Sequence, residues 1–472
     1  MRTQKSRDDC DLAPGSRFTC GQLVAMHHIP TTVQRMSSDQ KQPSRGRGRR
    51  SRRDRHHRDS HSDSEPLSAI PTHANVPSEA ATLIEHQDAL GEVVDHLAAA
   101  DIVTYDTEFI GEDTYYPQLC LVQVGTKDRV FLVDPFAVED LCPLFDVLAS
   151  PDRIMLVHAG DQDLKIMARL LGRPALSVVD TQILGGLAGL PWPCSLTKSI
   201  QCAIDAPLPP GMTFTAWDAR PLSIRQLRYA ADDVRYLPVL HDFLMARIKH
   251  RKHEHWAEAA CAVFDDPDYY RTDLSNQQRK IEGTRRFKPV ERRILKQLVE
   301  TRDAVAQLEN LPPRATVPDN VLLAITRDLP NSNDAIANIK GMPRSIAQRH
   351  GDRLRDAIET GVNEEEAPQP RRMKEELPID KVAVDGLWHA FSAAAIGAGV
   401  SPSLAISRAE LAHWYLGDQA TMPGKAQWQR DIVTDLIEPL LSGERTLNLA
   451  WRENMLHNAC ETQQAKDCSQ SS

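Results

Sequence analysis

Asp106 and Glu108 stand two residues apart in IVTYDTEF, Asp163 lies in HAGDQDL, and Tyr229 and Asp233 lie in YAADD. Side chains along a strand alternate with period two, so Asp106 and Glu108 share a face. Two carboxylates on one face repel unless a cation lies between them. Oxygen ligands select a hard divalent cation such as Mg2+. Tyr229 and Asp233 are four apart in a helical stretch and also share a face. A single acid is usually a solvated surface group. Here IVTY before the pair and the apolar segments after it place Asp106 and Glu108 on a central, largely buried strand. Two cations about 4 Å apart can activate a water and stabilise the leaving oxygen of a phosphodiester in an in-line displacement. A tyrosine hydroxyl near that water can orient it and help take its proton. The candidate catalytic set is therefore Asp106, Glu108, Asp163, Tyr229 and Asp233, with carboxylates suited to divalent ions, Mg2+ or Mn2+.

The elements that must position these residues can be read along the chain. ATLIEHQDALGEVVDHLAAA reads as a short strand and an amphipathic helix. DIVTYDTEF, PQLCLVQVGT and RVFLVDP read as strands, the last two parted by a turn at Lys127 and Asp128. Asp140 to Leu148 is expected to be helical and RIMLVHAG to be a strand. DQDLKIMARLLG is a helix stopped by Gly172, and VVDTQILGGLAG begins another helix. Strands first, then alternation with helices, predict an α/β fold with a mixed sheet flanked by helices. After a proline-rich loop (207–214), SIRQLRYAADDVRYLPVLHDFLMARIKHR reads as one long helix, kinked at Pro238.

Composition limits the remaining possibilities. The 472 residues suffice for two or three domains, and 41% hydrophobic with 26% charged residues is the balance of a soluble globular protein. A net charge of -9 argues against a protein that coats nucleic acid indiscriminately, although 45–58 is a strongly basic run. The nine cysteines are scattered without a CxxC pair, which predicts reduced thiols and no structural zinc site. No apolar run is long enough to span a membrane. The amino-terminal segment has no secretory apolar core, and a cytoplasmic location is expected.

The segments DTEF (106–109), YYPQLCLVQVG (115–125), HAGDQDL (158–164), DTQI (180–183), WDARPL (217–222) and YAADDVRYL (229–237) resemble the ribonuclease D family of DEDDy exonucleases. The resemblance implies a ribonuclease H-like fold and release of nucleoside 5′-monophosphates from RNA 3′ ends, with tRNA precursors as the expected substrate. It makes Asp106 the ligand shared by both metals. Glu108 and Asp233 complete one metal site, Asp163 serves the other, and Tyr229 is the subfamily tyrosine. His158 is expected to shape the site without ligating a metal. One departure is Ala216, where the family usually has an Asp before the tryptophan.

RRILKQLVETRDAVAQ and IANIKGMPRSIAQRHGDRLRDAI resemble an HRDC domain, with Lys340, Arg344 and Arg349 as candidate phosphate contacts. The expected organisation is a disordered Arg-rich tail (1–75), an exonuclease domain (76–255), a polar connector (256–285), an HRDC domain (286–363), a linker (364–376), a second HRDC-like helical domain (377–460) and a tail (461–472). RNA 3′ ends are the expected partner, with no membrane, no small-molecule cofactor and a monomeric chain. A DNA exonuclease of repair or proofreading type is the alternative enzymatic reading, and a non-catalytic nucleic-acid-binding scaffold the alternative outside enzymes.

Overall fold

The computed structural model describes residues 69–205, 215–365, 376–417, 421–444 and 446, and the backbone of Leu449–Arg452 and Met455–Asn458. The basic run at 45–58, the proline-rich loop and most of the linker at 364–376 lie outside the described residues.

The sheet is built from β1 (Thr82–Ile84), β2 (Ile102–Ile110), β3 (Gln118–Gly125), β4 (Val130–Val133), β5 (Ile154–Val157) and β6 (Val178–Asp180). Their order is β1-β4-β3-β2-β5-β6. β3 is antiparallel to β2 and β4, while the β2–β5, β5–β6 and β1–β4 pairs are parallel. The mixed sheet expected from the sequence is present. β6 corrects one detail, because VVD was read as the start of a helix. Three residues are too few for a periodic signal, and pairing with β5 makes them a strand.

The helices of this region are α1 (Leu90–Ala98), α2 (Cys142–Leu148), α3 (Asp161–Leu171), α4 (Thr181–Leu187), α5 (Leu196–Ile204), α6 (Ile224–Arg235), α7 (Leu237–Arg251), α8 (Glu254–Cys261) and α9 (Leu274–Glu282). The expected long helix is two helices, α6 and α7, that part at Tyr236. Pro238 sits in the first turn of α7, where its missing N–H costs no helical bond. A reciprocal Ser223–Gln226 capping box starts α6.

The two faces of β2 carry different loads. Val103 and Tyr105 enter the main core with Val122, Val124, Phe131, Leu144 and Phe145. The opposite face holds a smaller cluster in which Leu121, Val130 and Leu132 meet Ala230, Ala231 and Val234 of α6. Asp106 and Glu108 lie on the α6 side by period two.

The connector is less polar in structure than in sequence. Trp256, Ala260, Cys261 and Phe264 join the main core. Ile281 of α9 joins a separate core formed by α10 (Pro289–Glu309), α11 (Pro313–Thr316), α12 (Asp319–Asp328), α13 (Asn333–Ala337) and α14 (Arg344–Asn363). The last helices are α15 (Pro378–Ala398), α16 (Pro402–Ala405), α17 (Arg408–Leu416) and α18 (Gln427–Leu441). The helical region expected to reach about 458 ends at Leu441, and the backbone then forms the antiparallel pair β7 (Leu449–Arg452) and β8 (Met455–Asn458). Cys120, Cys194, Cys202 and Cys261 are free thiols, whereas Cys142 is disulfide-bonded, a departure from the expected reduced set. Among the described residues no helix is long and apolar enough to cross a membrane.

Candidate active site

Three elements bring the acids together. β2 supplies Asp106 and Glu108 from the middle of the sheet. The β2–β3 register shifts between Glu108 and Phe109, so the bulge falls directly after the second acid. α3 supplies Asp163 from its first turn. α6 lies across the sheet and supplies Tyr229 and Asp233 one turn apart.

Asp163 is buried and held on two sides. Thr107 Oγ1 donates to its carboxylate, and the Tyr105 hydroxyl donates to its backbone carbonyl at 3.1 Å. The turn before α3 is tied down by Asp180, whose carboxylate accepts from the amides of Ala159 (3.0 Å), Gly160 (3.3 Å) and Gln182 (2.7 Å). Gly160 is required there, because a Cβ would stand 2.7 Å from Val157 Cβ. His158 is engaged at both ring nitrogens, with Thr181 Oγ1 at 2.9 Å and the Cys194 carbonyl at 3.0 Å. It shapes the turn and has no free nitrogen for a ligand.

Asp232 and Asp233 are neighbours with different surroundings. Asp232 is ion-paired with Arg228 at 2.7 Å and Arg235 at 3.1 Å. Asp233 is hydrogen-bonded to Tyr229 and faces the other acids. Burial pushes Asp233 up to about 8, with repulsion from Asp232 and Asp163 adding to it. Burial likewise pushes Glu108 up to about 8, with Asp233 and Asp163 adding. Asp106 is raised well above the carboxylate range by burial and then by Asp163, Asp233 and Glu108. Tyr229 is raised by burial and by Asp233, Glu108 and Asp106, so it keeps its phenolic proton at neutral pH.

This is a set of acids that oppose each other's ionisation, which is the condition a bound cation relieves. Among the described residues no three Asp, Glu, His or Cys side chains close on a single point. All-oxygen, all-anionic donors fit Mg2+ or Mn2+, which keep several waters and are bound through one or two carboxylates plus substrate phosphates.

Two supporting residues had not been singled out in the sequence. Tyr105 and Thr107 lie beside the acids but signal nothing beyond strand propensity. Gln123, paired across from Asp106, is fully buried, with no hydrogen-bond partner on either amide atom. Arg220 of the WDARPL segment makes a two-pronged bond to Asp134 at 2.6 and 2.8 Å and reaches the Cys120 carbonyl at 2.7 Å. It thereby fixes the chain that leads into α6. Buried Trp217 lies 6.3 Å from the Tyr229 ring.

The three basic residues of the first helical module lie apart from the acids. Lys340 and Arg344 are exposed beside Gly341 (φ +95°) and the start of α14. Arg349 bonds Glu309 at 2.8 Å, so its charge is partly matched within the module.

Residues 81–249 match the family model of a 3′-5′ exonuclease, and residues 291–358 match the HRDC domain. A ribonuclease D from Gluconacetobacter diazotrophicus is 31% identical over 374 residues, which is 78% of this chain and 94% of that protein. Another, from Granulibacter bethesdensis, is 30% identical over 376 residues, again 78% of this chain and 94% of the relative. The crystal structure of Escherichia coli RNase D, described as an exoribonuclease involved in structured RNA processing, matches with a TM-score of 0.63 at 25% identity. The match covers 78% of this chain and all of that one. With both modules in order and identity sustained along nearly the whole of these relatives, the chain belongs to the ribonuclease D family and is a hydrolytic 3′-to-5′ exoribonuclease.

Proposed function

We propose that the enzyme removes nucleoside 5′-monophosphates one at a time from RNA 3′ ends at Asp106, Glu108, Asp163, Tyr229 and Asp233. The observation that carries this reading is the mutual repulsion of four carboxylates from three elements, with a protonated tyrosine on the helix that covers them. Asp106, Glu108, Asp163 and Asp233 would hold two divalent cations, either Mg2+ or Mn2+. When bound, such ions supply an acidified water and neutralise the leaving oxygen. The chain's own groups do the positioning. Thr107 and Tyr105 lock Asp163, the bulge after Glu108 turns that part of β2, and Tyr229 keeps its hydroxyl beside Asp233 to orient the attacking water.

The substrate class we propose is a structured RNA with a single-stranded 3′ tail, tRNA precursors first. The first helical module would grip the RNA body through Lys340, Arg344 and Arg349. We further propose a monomeric, cytoplasmic enzyme divided at the limits given above, except that the helices after 377 serve as part of the catalytic unit.

The direct test is a 3′-extended tRNA transcript beside a matched DNA strand, with Mg2+ or Mn2+ and identification of the products. Stepwise 5′-monophosphates from RNA are expected, and equal attack on DNA would move the substrate towards repair. Asp106→Asn should lower hydrolysis about a thousandfold, the scale of losing a charge-stabilising element of the transition state, while RNA binding persists. Normal turnover in that variant would sink the two-metal assignment.

A further inference from the structure

A groove of about 440 Å³ opens where the catalytic domain meets the first helical module. Its walls come from the 115–117 segment between β2 and β3, from the outer side of α3, from the turn around Tyr270–Thr272, and from α10. Two of these walls lie near the candidate acids in sequence. The 115–117 segment follows the strand that holds Glu108, and Gln162 of the groove adjoins Asp163.

The charges in the groove differ in how they are matched. Lys165 bonds Asp161 at 2.8 Å, and Arg271 bonds Asp268 at 3.0 Å. Asp303, the acid of the groove, accepts from the Tyr115 hydroxyl at 3.0 and 3.1 Å and from Gln307 Nε2 at 2.8 Å. Arg169 has no carboxylate partner among the described residues. It lies 4.8 Å from the centre of the Tyr116 ring, and that ring stands edge to face with Tyr115 at 4.8 Å. A half-buried guanidinium held by an aromatic face, with N–H donors left over, is built to take a phosphate. Aromatic rings beside it suit a ribose or base, which single-strand sites bind with little regard to sequence.

We propose that this groove is a subsite for the RNA strand upstream of the scissile bond, with Arg169 binding a backbone phosphate and Tyr115, Tyr116 and Tyr270 lining the adjoining nucleotide. The inference rests on the exoribonuclease reading and adds to it a route for the strand along the seam. The competing role for Arg169 is to pin the seam through Tyr116, with no contact to RNA.

The two roles separate by salt dependence. Binding of an RNA octamer and of a dinucleotide would be measured by anisotropy with Mg2+, in full-length protein carrying Asp106→Asn to prevent turnover. Adding Arg169→Gln should weaken the octamer about tenfold or more, on the scale of one charged hydrogen bond. It should also flatten the slope of log affinity against log salt by about 0.7, the value of one phosphate contact on a single strand. Arg169→Lys should restore the slope. An unchanged slope in Arg169→Gln, or equal weakening of octamer and dinucleotide, would overturn the proposal.

A second measurement does not depend on the variants folding. An octamer carrying 4-thiouridine a few nucleotides from its 3′ end should crosslink to peptides containing Tyr115, Tyr116 or Tyr270. Crosslinks confined to other surfaces would equally overturn the subsite. Failure of wild-type protein to release nucleotides from RNA would instead strike the underlying activity, and these binding readouts would still report on the groove.

Discussion

The first helical module buries Leu295, Leu298, Val305, Val321, Leu322 and Ile325 among its own helices. The helices after 377 pack chiefly on one another, and Phe391, Ala395, Leu404, Ile432, Val433 and Ile437 form one continuous buried cluster with the core of the catalytic domain. The seams differ in kind as well. Tyr115 reaches Asp303 at 3.0 Å and the Tyr116 amide reaches Asn310 Oδ1 at 3.1 Å, so the first module is joined by polar contacts. On the other side Leu404 packs over Gly186, and the Ser401 amide bonds the Gly186 carbonyl at 2.8 Å. Two segments that read as tandem copies of one module thus have opposite relations to the enzyme. One is a domain with its own core, joined to the enzyme across a polar seam. The other is a buttress without which an apolar side of the catalytic domain would face water.

Core truncation gives the largest expected effect. Phe391→Ala should cost about 3–5 kcal/mol and lower the melting temperature of the catalytic domain itself. Leu298→Ala should cost a similar amount in the first module, while dinucleotide hydrolysis persists. Calorimetry with an activity readout compares them, and a Phe391→Ala that spared the catalytic transition would break the contrast. Metal binding should separate the units next. Mg2+ or Mn2+ at a hundred times its dissociation constant should stabilise the catalytic unit by about 2.7 kcal/mol. Helices 378–441 should melt with that unit and the first module should not follow. Hydrogen exchange by region would show it, and uniform protection would mean a single cooperative block.

Gly186→Ala is expected to have a smaller effect, because its Cβ would stand 2.6 Å from Leu404 Cδ2. The overpacking should cost about 1–3 kcal/mol, and Leu404→Ala in the same chain should recover part of the clash. A second substitution that only added to the loss would argue against that contact. Tyr115→Phe is the mildest change. It removes the hydroxyl bond to Asp303 and should cost about 1 kcal/mol, read as faster exchange at the first module's seam with the catalytic melt unmoved.

The candidate catalytic residues were legible because their types are rare on one face of a buried strand and their spacing obeys strand and helix periods. The glycine stop at Gly172 marked a helix limit for a similarly local reason. β6 was missed because three residues carry no periodic signal. The break at Tyr236 was read as a kink, since Pro238 sits equally well inside a bent helix or at the start of a new one. The connector looked polar because Trp256, Phe264 and Ile281 are sparse along the chain, although each is buried on folding.

The sequence by itself determined the five candidate groups, the strand and helix that present four of them, and the order of modules, because these depend on side-chain type and local period. Asp233 over Asp232 already followed from its spacing to Tyr229, with Arg228 and Arg235 engaging Asp232 along the same helix, whereas the tertiary structure alone brought α6 onto β2. It decided that Thr107 would hold Asp163 from 56 residues away. It also joined the buried cluster of the last helices to the catalytic core, because burial is set by which apolar faces meet in space and local sequence carries no record of the partner.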